Sequence, residues 1–382
     1  MKYSLKLGKG IPQFWKPPLI RDLDCNKILN NNKKYINEVI KKRFKYSFVS
    51  PSFPVTCEDI KMRGYYPEVP QSNEEAEFPL AFAINIFHDY LKIEQYFLLM
   101  YAPQNHFCYA IDKKAKKEFK DKIYNLKKCF PNIYIVEKEL PMDHSGVNGN
   151  WYNYECMKLL NGTNYKYLFI MEVLIWTLVN NISNLQRKVL GDERLNNQVI
   201  MNTKLEIQKG FLESAFPRET IDYIVNKLNI TTLLNVLNSG LKFCDEIFWP
   251  SIMTSPQLQI PGWQHYKCSK NTKFSYYYYT RRSIYTSYRN CPTKKIRNGV
   301  CILGIETIHE LKKCPQFFGN KFFSEFDAGG TACWSEYIYQ KKFFSYFTGI
   351  DKAFYQKSPL LKYQIYKKNI TNLNKVCDLA LL

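Results

Sequence analysis

Short apolar runs alternate with segments of helical periodicity across residues 78–136. The order along the chain is PLAFAINIF, DYLKIEQYFLLMY, HFCYAID, KKAKKEFKDKIYNLKKCF and NIYIV. Strand and helix signals in this order predict βαβ units, and therefore an α/β fold with a parallel sheet and right-handed crossovers. Ligands bind such sheets at the carboxyl ends of the strands. Asp112 directly follows the second apolar strand candidate, which makes this segment a candidate nucleotide site.

The charge of the chain points to an anionic partner. Its 382 residues include 54 Lys and Arg against 34 Asp and Glu, for a net charge of +20. This balance favours nucleic acid, acidic lipid or a phosphate-bearing substrate, although a merely basic, soluble surface would explain it equally well. A hydrophobic content of 46% is ample for the core of one large domain or two ordinary domains.

Cysteines and glycosylation motifs favour an oxidising compartment. The twelve cysteines are widely scattered and form no CxxC pair, which disfavours zinc-ribbon and thioredoxin-like sites and fits long-range disulfides. Four N-glycosylation motifs begin at Asn161, Asn181, Asn229 and Asn369. Residues 1–20 contain no apolar run of signal-peptide or anchor length. Either the protein is cytosolic with free thiols, or this sequence lacks the true N-terminus of the protein. The cysteines and glycosylation motifs favour the second interpretation.

Further elements are predicted downstream of the alternating segment. A helix is expected over residues 151–160, a buried strand over 165–176, helical segments over 218–228 and 231–237, and an amphipathic helix over 331–344. No internal repeat is visible. The chain lacks P-loop and dinucleotide-binding glycine motifs and metal-spaced histidines. No Asp-x-Asp pair follows a predicted strand, where it would hold a metal on a sugar nucleotide.

Two pairs of charged residues are candidates for chemistry. Asp245 and Glu246 lie among aromatic and aliphatic residues, where burial would raise a carboxylate pKa towards that of a general base. The alternative is an acidic pair that simply begins a helix. Arg297 and Lys321 border apolar segments and would hold a diphosphate if they converged on one cleft. Their alternative role is that of solvated surface cations.

Seven segments carry a family resemblance. They are EFPLAFAI (77–84), YAPQNHFCYAIDKKA (101–115), CFPNIYI (129–135), CMKLL (156–160), DEIFW (245–249), Arg297 with VCILG (300–304), and NKF with FD (320–327). In this order they resemble the core-2 and I-branching β-1,6-N-acetylglucosaminyltransferases, over residues 57–340. The resemblance implies a GT-A-type glycosyltransferase fold, with a Rossmann-like mixed sheet flanked by helices.

The same resemblance implies a reaction and a location. The implied enzyme is an inverting hexosyltransferase that moves N-acetylglucosamine from UDP-N-acetylglucosamine to the 6-hydroxyl of an O-glycan. It requires no metal and no cofactor other than this donor substrate. The implied location is the Golgi lumen, as a type II membrane protein whose anchor is missing from this sequence. The predicted organisation is a stem and docking segment (1–76), a GT-A catalytic domain (77–345) and a basic tail (346–382).

Individual roles follow from the matching positions of the family motifs. Glu246 matches the catalytic base, and Arg297 and Lys321 match the cations that stabilise the departing diphosphate. Asp112 matches the nucleotide-side acidic residue, and His88 lies in the matching first loop. Tyr285 matches an acceptor-stacking Trp.

The resemblance also implies four disulfides: Cys57–Cys129, Cys108–Cys156, Cys291–Cys301 and Cys25–Cys333. Cys244, Cys268, Cys314 and Cys377 are left unassigned.

One segment departs from the family pattern. The family has a short Asp-x-Pro segment beside the donor site, whereas residues 171–181 here read MEVLIWTLVNN. A catalytically inactive glycan- or nucleotide-binding relative is therefore an alternative function. A nucleic-acid-binding protein with free thiols, suggested by the charge and the tyrosines alone, is a second alternative.

Overall fold

A computed structural model describes residues 10–46, 54–143, 146–172, 205, 207–210, 213–238, 244–265, 268, 279–285, 290–344 and 352–381. The strands of these residues are β1 Leu80–Ile86, β2 His106–Ile111, β3 Ile133–Ile135, β4 Tyr167–Glu172, β5 Ala215–Pro217, β6 Arg281–Ser283, β7 Ile296–Arg297, β8 Val300–Cys301 and β9 Phe318–Asn320.

The first part of the chain, up to β4, contributes these α-helices: α1 Cys25–Leu29, α2 Lys33–Lys41, α3 Cys57–Met62, α4 Asn73–Glu77, α5 Tyr90–Met100, α6 Lys117–Cys129 and α7 Gly149–Leu159. The remainder contributes α8 Arg218–Lys227, α9 Thr231–Leu237, α10 Cys244–Met253, α11 Ile305–Leu311, α12 Ser324–Phe343, α13 Lys352–Gln356, α14 Pro359–Tyr366 and α15 Leu373–Leu381. Two single 3₁₀ turns lie at Pro18–Ile20 and Pro256–Leu258.

A five-stranded mixed sheet forms the centre of the fold, in the order β3-β2-β1-β4-β5. The first four strands pair in parallel, and β5 runs antiparallel to β4. Ile86 pairs with Ile111, so β1 and β2 end at the same edge of the sheet. The predicted α/β fold with a mixed sheet flanked by helices is confirmed.

Residue size separates the two faces of the central strands. Ala81 and Ala83 of β1 face the core that contains α7, whereas Phe82, Ile84 and Ile86 face the core that contains α5 and α6. Successive side chains of a strand point to opposite faces, so this alternation of small and large residues sends α7 close to the backbone on one side only. Both faces are buried, which is why β1 reads as a continuous apolar run.

Helix α6 shows how periodicity produces the outer layer. Phe119, Ile123 and Leu126 recur at helical spacing and are buried against the sheet. Lysines occupy much of the remaining surface, with Lys127 and Lys128 in the last turn, where they complement the helix dipole.

The N-terminal helices pack against the C-terminal part of the chain. Leu23, Ile28 and Ile36 share a hydrophobic cluster with Leu303 and other residues of the 303–333 region. Residues 1–76 therefore contribute helices to this cluster. The predicted boundary between a stem segment and a catalytic domain at residue 76 stays a prediction. The tail contains α13, α14 and α15, and residues of α14 and α15 form a separate cluster with Cys268.

The downstream predictions were met in most places. The helix expected at 151–160 is α7, and β4 occupies residues 167–172 of the strand expected at 165–176. The last large helix is longer than predicted. It starts at Ser324, and non-helical dihedrals at Asp327 break its first turns. Glycine is favoured at position 330 because a Cβ there would press on the Gly304 backbone at 3.0 Å. A glycine interrupts the helical pattern of the sequence, so periodicity did not predict the start of this helix.

Ten of the twelve cysteines form disulfides. The structure contains the four pairs implied by the resemblance, together with Cys268–Cys377. Cys244 and Cys314 are free. The helices within the described ranges do not combine the length and the apolar composition needed to cross a bilayer.

This pairing predicts a thiol count. Protein denatured without reductant should be alkylated at two cysteines per chain, and at all twelve after reduction. A Cys314→Ser variant should lose one label, and Cys57→Ser should gain one because it liberates Cys129. Intact-mass spectrometry measures these counts. Labelling of all twelve cysteines without reductant would contradict the pairing.

Candidate functional site

The carboxyl end of β2 leads into Asp112, which is almost completely buried. One carboxylate oxygen accepts the backbone N–H of Lys114 at 2.8 Å, and the other accepts that of Met142 at 3.3 Å. The backbone N–H of Asp112 donates to Ile86 at the end of β1. Asp112 therefore ties together the loops at the sheet edge where nucleotides bind α/β folds.

His88 lies in the loop that joins β1 to α5. The next residue, Asp89, adopts a left-handed conformation. Its side chain accepts a hydrogen bond from the backbone N–H of Lys92 and so caps the start of α5. Burial lowers the pKa of His88; the charge of Asp89 opposes this, and the cations Lys92 and Arg297 reinforce it. Arg297, one of the two predicted diphosphate cations, therefore acts electrostatically on the loop that contains His88.

Lys321 is a buried cation without a hydrogen-bond partner among the described residues. It follows β9, and its backbone carbonyl accepts the N–H of Leu303 at 2.7 Å. Only 4% of the residue is exposed, and its ammonium has no hydrogen bond within the described part of the chain. Burial lowers the pKa of Lys321 to about 8, and the neighbouring cations Arg281 and Arg297 act in the same direction. Lys321 is therefore no solvated surface cation.

Arg297 lies in the short β7–β8 hairpin and is exposed. Its guanidinium stacks over the Phe323 ring at 5.0 Å from the centroid, and Nη1 lies 3.8 Å from a carboxylate oxygen of Glu325. A planar cation supported on a ring is well suited to bind phosphate oxygens in a fixed orientation. The charge of Arg297 also acts on Lys321, so the structure brings both predicted cations together.

Helix α10 presents the acidic pair, and its two members differ. Asp245 is completely buried, with 0% of the residue exposed, and one oxygen accepts the backbone N–H of Glu246 at 2.9 Å. The Glu246 side chain is 18% exposed, and Lys209 lies 3.1 Å from its Oε2. Glu246 also acts electrostatically on Lys321 and on Tyr285. Glu246 thus lies in the site, whereas Asp245 fixes the first turn of the helix.

Gly146 supports this arrangement from the opposite loop. Its φ of +87° is a conformation that L residues rarely adopt, and a Cβ at this position would overlap the Asp245 carboxylate. The Gly146 carbonyl also accepts a hydrogen bond from the Cys244 thiol at 3.2 Å. The loop therefore needs glycine here in order to approach the start of α10.

Tyr285 projects beside these charges, and 54% of the residue is exposed. Its hydroxyl accepts a hydrogen bond from Arg281 Nη2 at 2.8 Å, and Arg281 also forms a buried ion pair with Glu213. The sequence motifs did not identify three residues that contribute to this site: Lys209, Glu213 and Arg281. No motif marks them, because they approach the site from separate elements and pair across long sequence distances.

A cavity of about 290 Å³ lies behind Lys321. Its floor is the row Tyr109, Ile84 and Met171, which pair in register across β2, β1 and β4. Its charged lining residues are Lys92, Glu213, Arg281 and Lys321. Within the described ranges, no three His, Cys, Asp or Glu side chains are grouped to bind a metal ion.

Comparisons with known proteins point to one family. Residues 80–172 match the family described as "Core-2/I-Branching enzyme". The chain is 22% identical over 370 residues to a β-1,3-galactosyl-O-glycosyl-glycoprotein β-1,6-N-acetylglucosaminyltransferase of Homo sapiens, covering 84% of this chain and 86% of the relative. Across residues 80–172 the chain therefore resembles the core-2/I-branching enzymes. Over 106 residues it is 32% identical to an N-acetyllactosaminide β-1,6-N-acetylglucosaminyl-transferase of Mus musculus, covering 28% of this chain and 26% of the relative.

These matches confirm the resemblance predicted from the motifs and support the predicted class of enzyme, a hexosyltransferase. The matched segment 80–172 contains His88 and Asp112. Glu246, Arg297, Lys321 and Tyr285 lie outside it, so their roles stay predictions, as do those of His88 and Asp112. Of the glycosylation candidates, Asn161 and Asn369 are exposed, Asn229 is half-buried, and Asn181 lies outside the described residues.

The contact between Gly146 and Asp245 predicts a position-specific effect. Gly146→Ala should cost about 1–2 kcal/mol for the left-handed backbone and about 1–3 kcal/mol more for the forced shift of Asp245. Chemical denaturation measures both. Gly162→Ala is the matched control, because Gly162 has a similar φ of +91° and open space around its Cβ position. Equal losses for the two variants would contradict the role of Gly146 in holding α10.

Proposed function

We propose that this chain is an inverting glycosyltransferase that moves N-acetylglucosamine from UDP-N-acetylglucosamine to the 6-hydroxyl of an O-glycan, as in core-2-type β-1,6 branching. The observation that carries the proposal is the buried ammonium of Lys321, which has no hydrogen-bond partner among the described residues and which interacts with Arg297 and Glu246. A buried ammonium without a hydrogen-bond partner is costly, so such a site is suited to receive an anion. The family match over residues 80–172 and the names of the relatives suggest the class of donor and acceptor.

Each charged group has one role in the proposed transfer step. Glu246 accepts the proton of the acceptor hydroxyl while the hydroxyl oxygen bonds to C1 of the donor sugar. The bond between C1 and the diphosphate oxygen breaks from the opposite side, which inverts the configuration at C1 and releases UDP. Negative charge grows on the diphosphate as this bond breaks. Lys321 and Arg297 stabilise that charge, and they do so most strongly in the transition state. The proposed reaction therefore needs no metal ion.

The remaining predicted residues bind the substrates in this proposal. Asp112 holds the loops beneath the nucleotide through its two backbone hydrogen bonds. His88 adjoins Arg297 and lies on the donor side. The exposed ring of Tyr285 offers a stacking surface for an acceptor sugar. The disulfides and the exposed glycosylation motifs support action in an oxidising lumen, which we propose to be that of the Golgi, with attachment as a type II membrane protein.

The pairing of Glu246 with Lys209 supports a second candidate function. An ammonium 3.1 Å from the carboxylate competes with the acceptor hydroxyl for the proposed base. A chain in which this pair persisted would bind UDP or a glycan without transfer. The two functions differ in turnover and share nucleotide binding, so the following experiment separates them.

Glu246→Gln should abolish transfer and leave UDP binding within about threefold of wild type, because the amide keeps the shape but cannot take a proton. Lys321→Ala should weaken UDP binding by about tenfold or more, because it removes a charge-assisted hydrogen bond. Transfer from UDP-N-acetylglucosamine to a core-1 acceptor in the presence of EDTA measures the first, and calorimetry measures the second. Glu310→Gln, whose side chain is 72% exposed on α11, is the control. UDP binding by wild type without transfer would favour the second function.

The lowered pKa of Lys321 predicts how UDP binding depends on pH. The protonated ammonium binds the diphosphate, so affinity should be full below pH 8 and should fall as the pH rises through about 8. The fall should approach tenfold per pH unit. Lys342 and Lys367 also have pKa values lowered to about 8, so Lys321→Arg identifies the source, because arginine stays charged. The same pH dependence in wild type and Lys321→Arg would contradict the assignment.

A further inference from the structure

A buried ion pair between Glu213 and Arg281 adjoins the proposed diphosphate site. One nitrogen of the Arg281 guanidinium donates to Glu213, and another donates to the Tyr285 hydroxyl at 2.8 Å. We propose that Glu213 is a positioning residue for the transfer reaction, which acts through Arg281 to orient Tyr285 and to balance charge beside Lys321. This inference rests on the proposed function, and it adds a residue that no family motif marks.

The sheet places Glu213 at the edge where the chemistry occurs. In the antiparallel pair β4–β5, Phe169 pairs with Ala215, and the N–H of Ile170 donates to the Ser214 carbonyl. The chain that precedes β5 therefore runs alongside the carboxyl end of β4, and Glu213 joins Met171 in lining the cavity behind Lys321. A carboxylate held by a strand edge is more precisely positioned than one on a free loop.

The anchoring of Tyr285 depends on both members of the pair. The ring is about half exposed, so packing alone does not fix its direction. Arg281 and Ser283 both hold the hydroxyl end, and Glu213 fixes the guanidinium of Arg281. Loss of Glu213 would free Arg281 to turn and would weaken one of the contacts that orient Tyr285.

The second effect of Glu213 is electrostatic. The charged groups that act on Lys321 are two cations and two carboxylates: Arg281 from β6, Arg297 from β7, Glu213 from before β5, and Glu246 from α10. Lys92 of α5 lines the same cavity and donates to the carbonyl of Phe322. Without Glu213, the positive charge of Arg281 would act on Lys321 with less compensation. Lys321 would then lose its proton at a lower pH, and the uncharged amine binds a diphosphate less well.

Two variants separate these effects. Glu213→Gln keeps the size of the side chain and should weaken UDP binding at pH 9 by about tenfold, the effect of a one-unit pKa shift at a pH above both pKa values. It should also raise the KM for the acceptor by about tenfold, the loss of roughly one hydrogen bond to a charged group. The double variant Glu213→Gln/Arg281→Met removes the uncompensated cation. It should restore UDP affinity at pH 9 to within about threefold of wild type, while the acceptor KM stays raised because Arg281 no longer donates to Tyr285.

The measurements are calorimetric titration with UDP between pH 6.5 and 9, and initial rates with a core-1 acceptor. Glu213→Asp should recover most of both properties, and Glu310→Gln should match wild type in both. Recovery of UDP affinity in the double variant, with a raised acceptor KM, supports the proposal. Wild-type values in Glu213→Gln, or equal losses in the single and double variants, would overturn it. A wild-type chain that neither binds UDP nor transfers sugar would instead overturn the proposed function, and this inference with it.

Discussion

Burial of β1 on both faces is the constraint on which the rest of the structure depends. The strand pairs in parallel with β2 on one side and β4 on the other, so its ends set the level at which all three strands stop. Asp112 and the His88 loop emerge at that level. A parallel sheet covered on both faces leaves its strand ends as the natural place for a ligand. The position of the proposed donor side of the site therefore follows from the packing of one strand.

Positive charge at this edge is concentrated and only partly balanced. Lys321 is buried beside Arg281 and Arg297, and Glu213 and Glu246 oppose them. A folded protein tolerates such an arrangement at a cost in stability, and the cost is recovered when an anion binds. The net charge of +20 does not predict this site, because the site depends on where two or three cations are placed in the fold.

Covalent links connect distant parts of this architecture. Cys25–Cys333 spans 308 residues and joins the first helix to α12, which packs near the loops of the site. Cys108–Cys156 joins β2 to α7, and Cys291–Cys301 closes the segment that carries Arg297. Cross-links of this kind reduce the conformational entropy of the unfolded chain and so stabilise the fold. Cys291–Cys301 also restricts the β7–β8 hairpin that carries Arg297, one of the two proposed diphosphate cations.

Periodicity alone was sufficient to predict the alternating strands and helices of residues 78–136, because each follows from local side-chain spacing. Helix α12 was predicted too short, because Asp327 and Gly330 serve tertiary contacts that spacing does not reveal. The motifs pointed to Glu246, Arg297 and Lys321, but not to the burial of Lys321 or the exposure of Arg297. Glu213 and Arg281 lie 68 residues apart and were not predicted at all. Their pairing arises where β4–β5 and β6–β9 bring separate parts of the chain together, and contacts between elements depend on the whole fold.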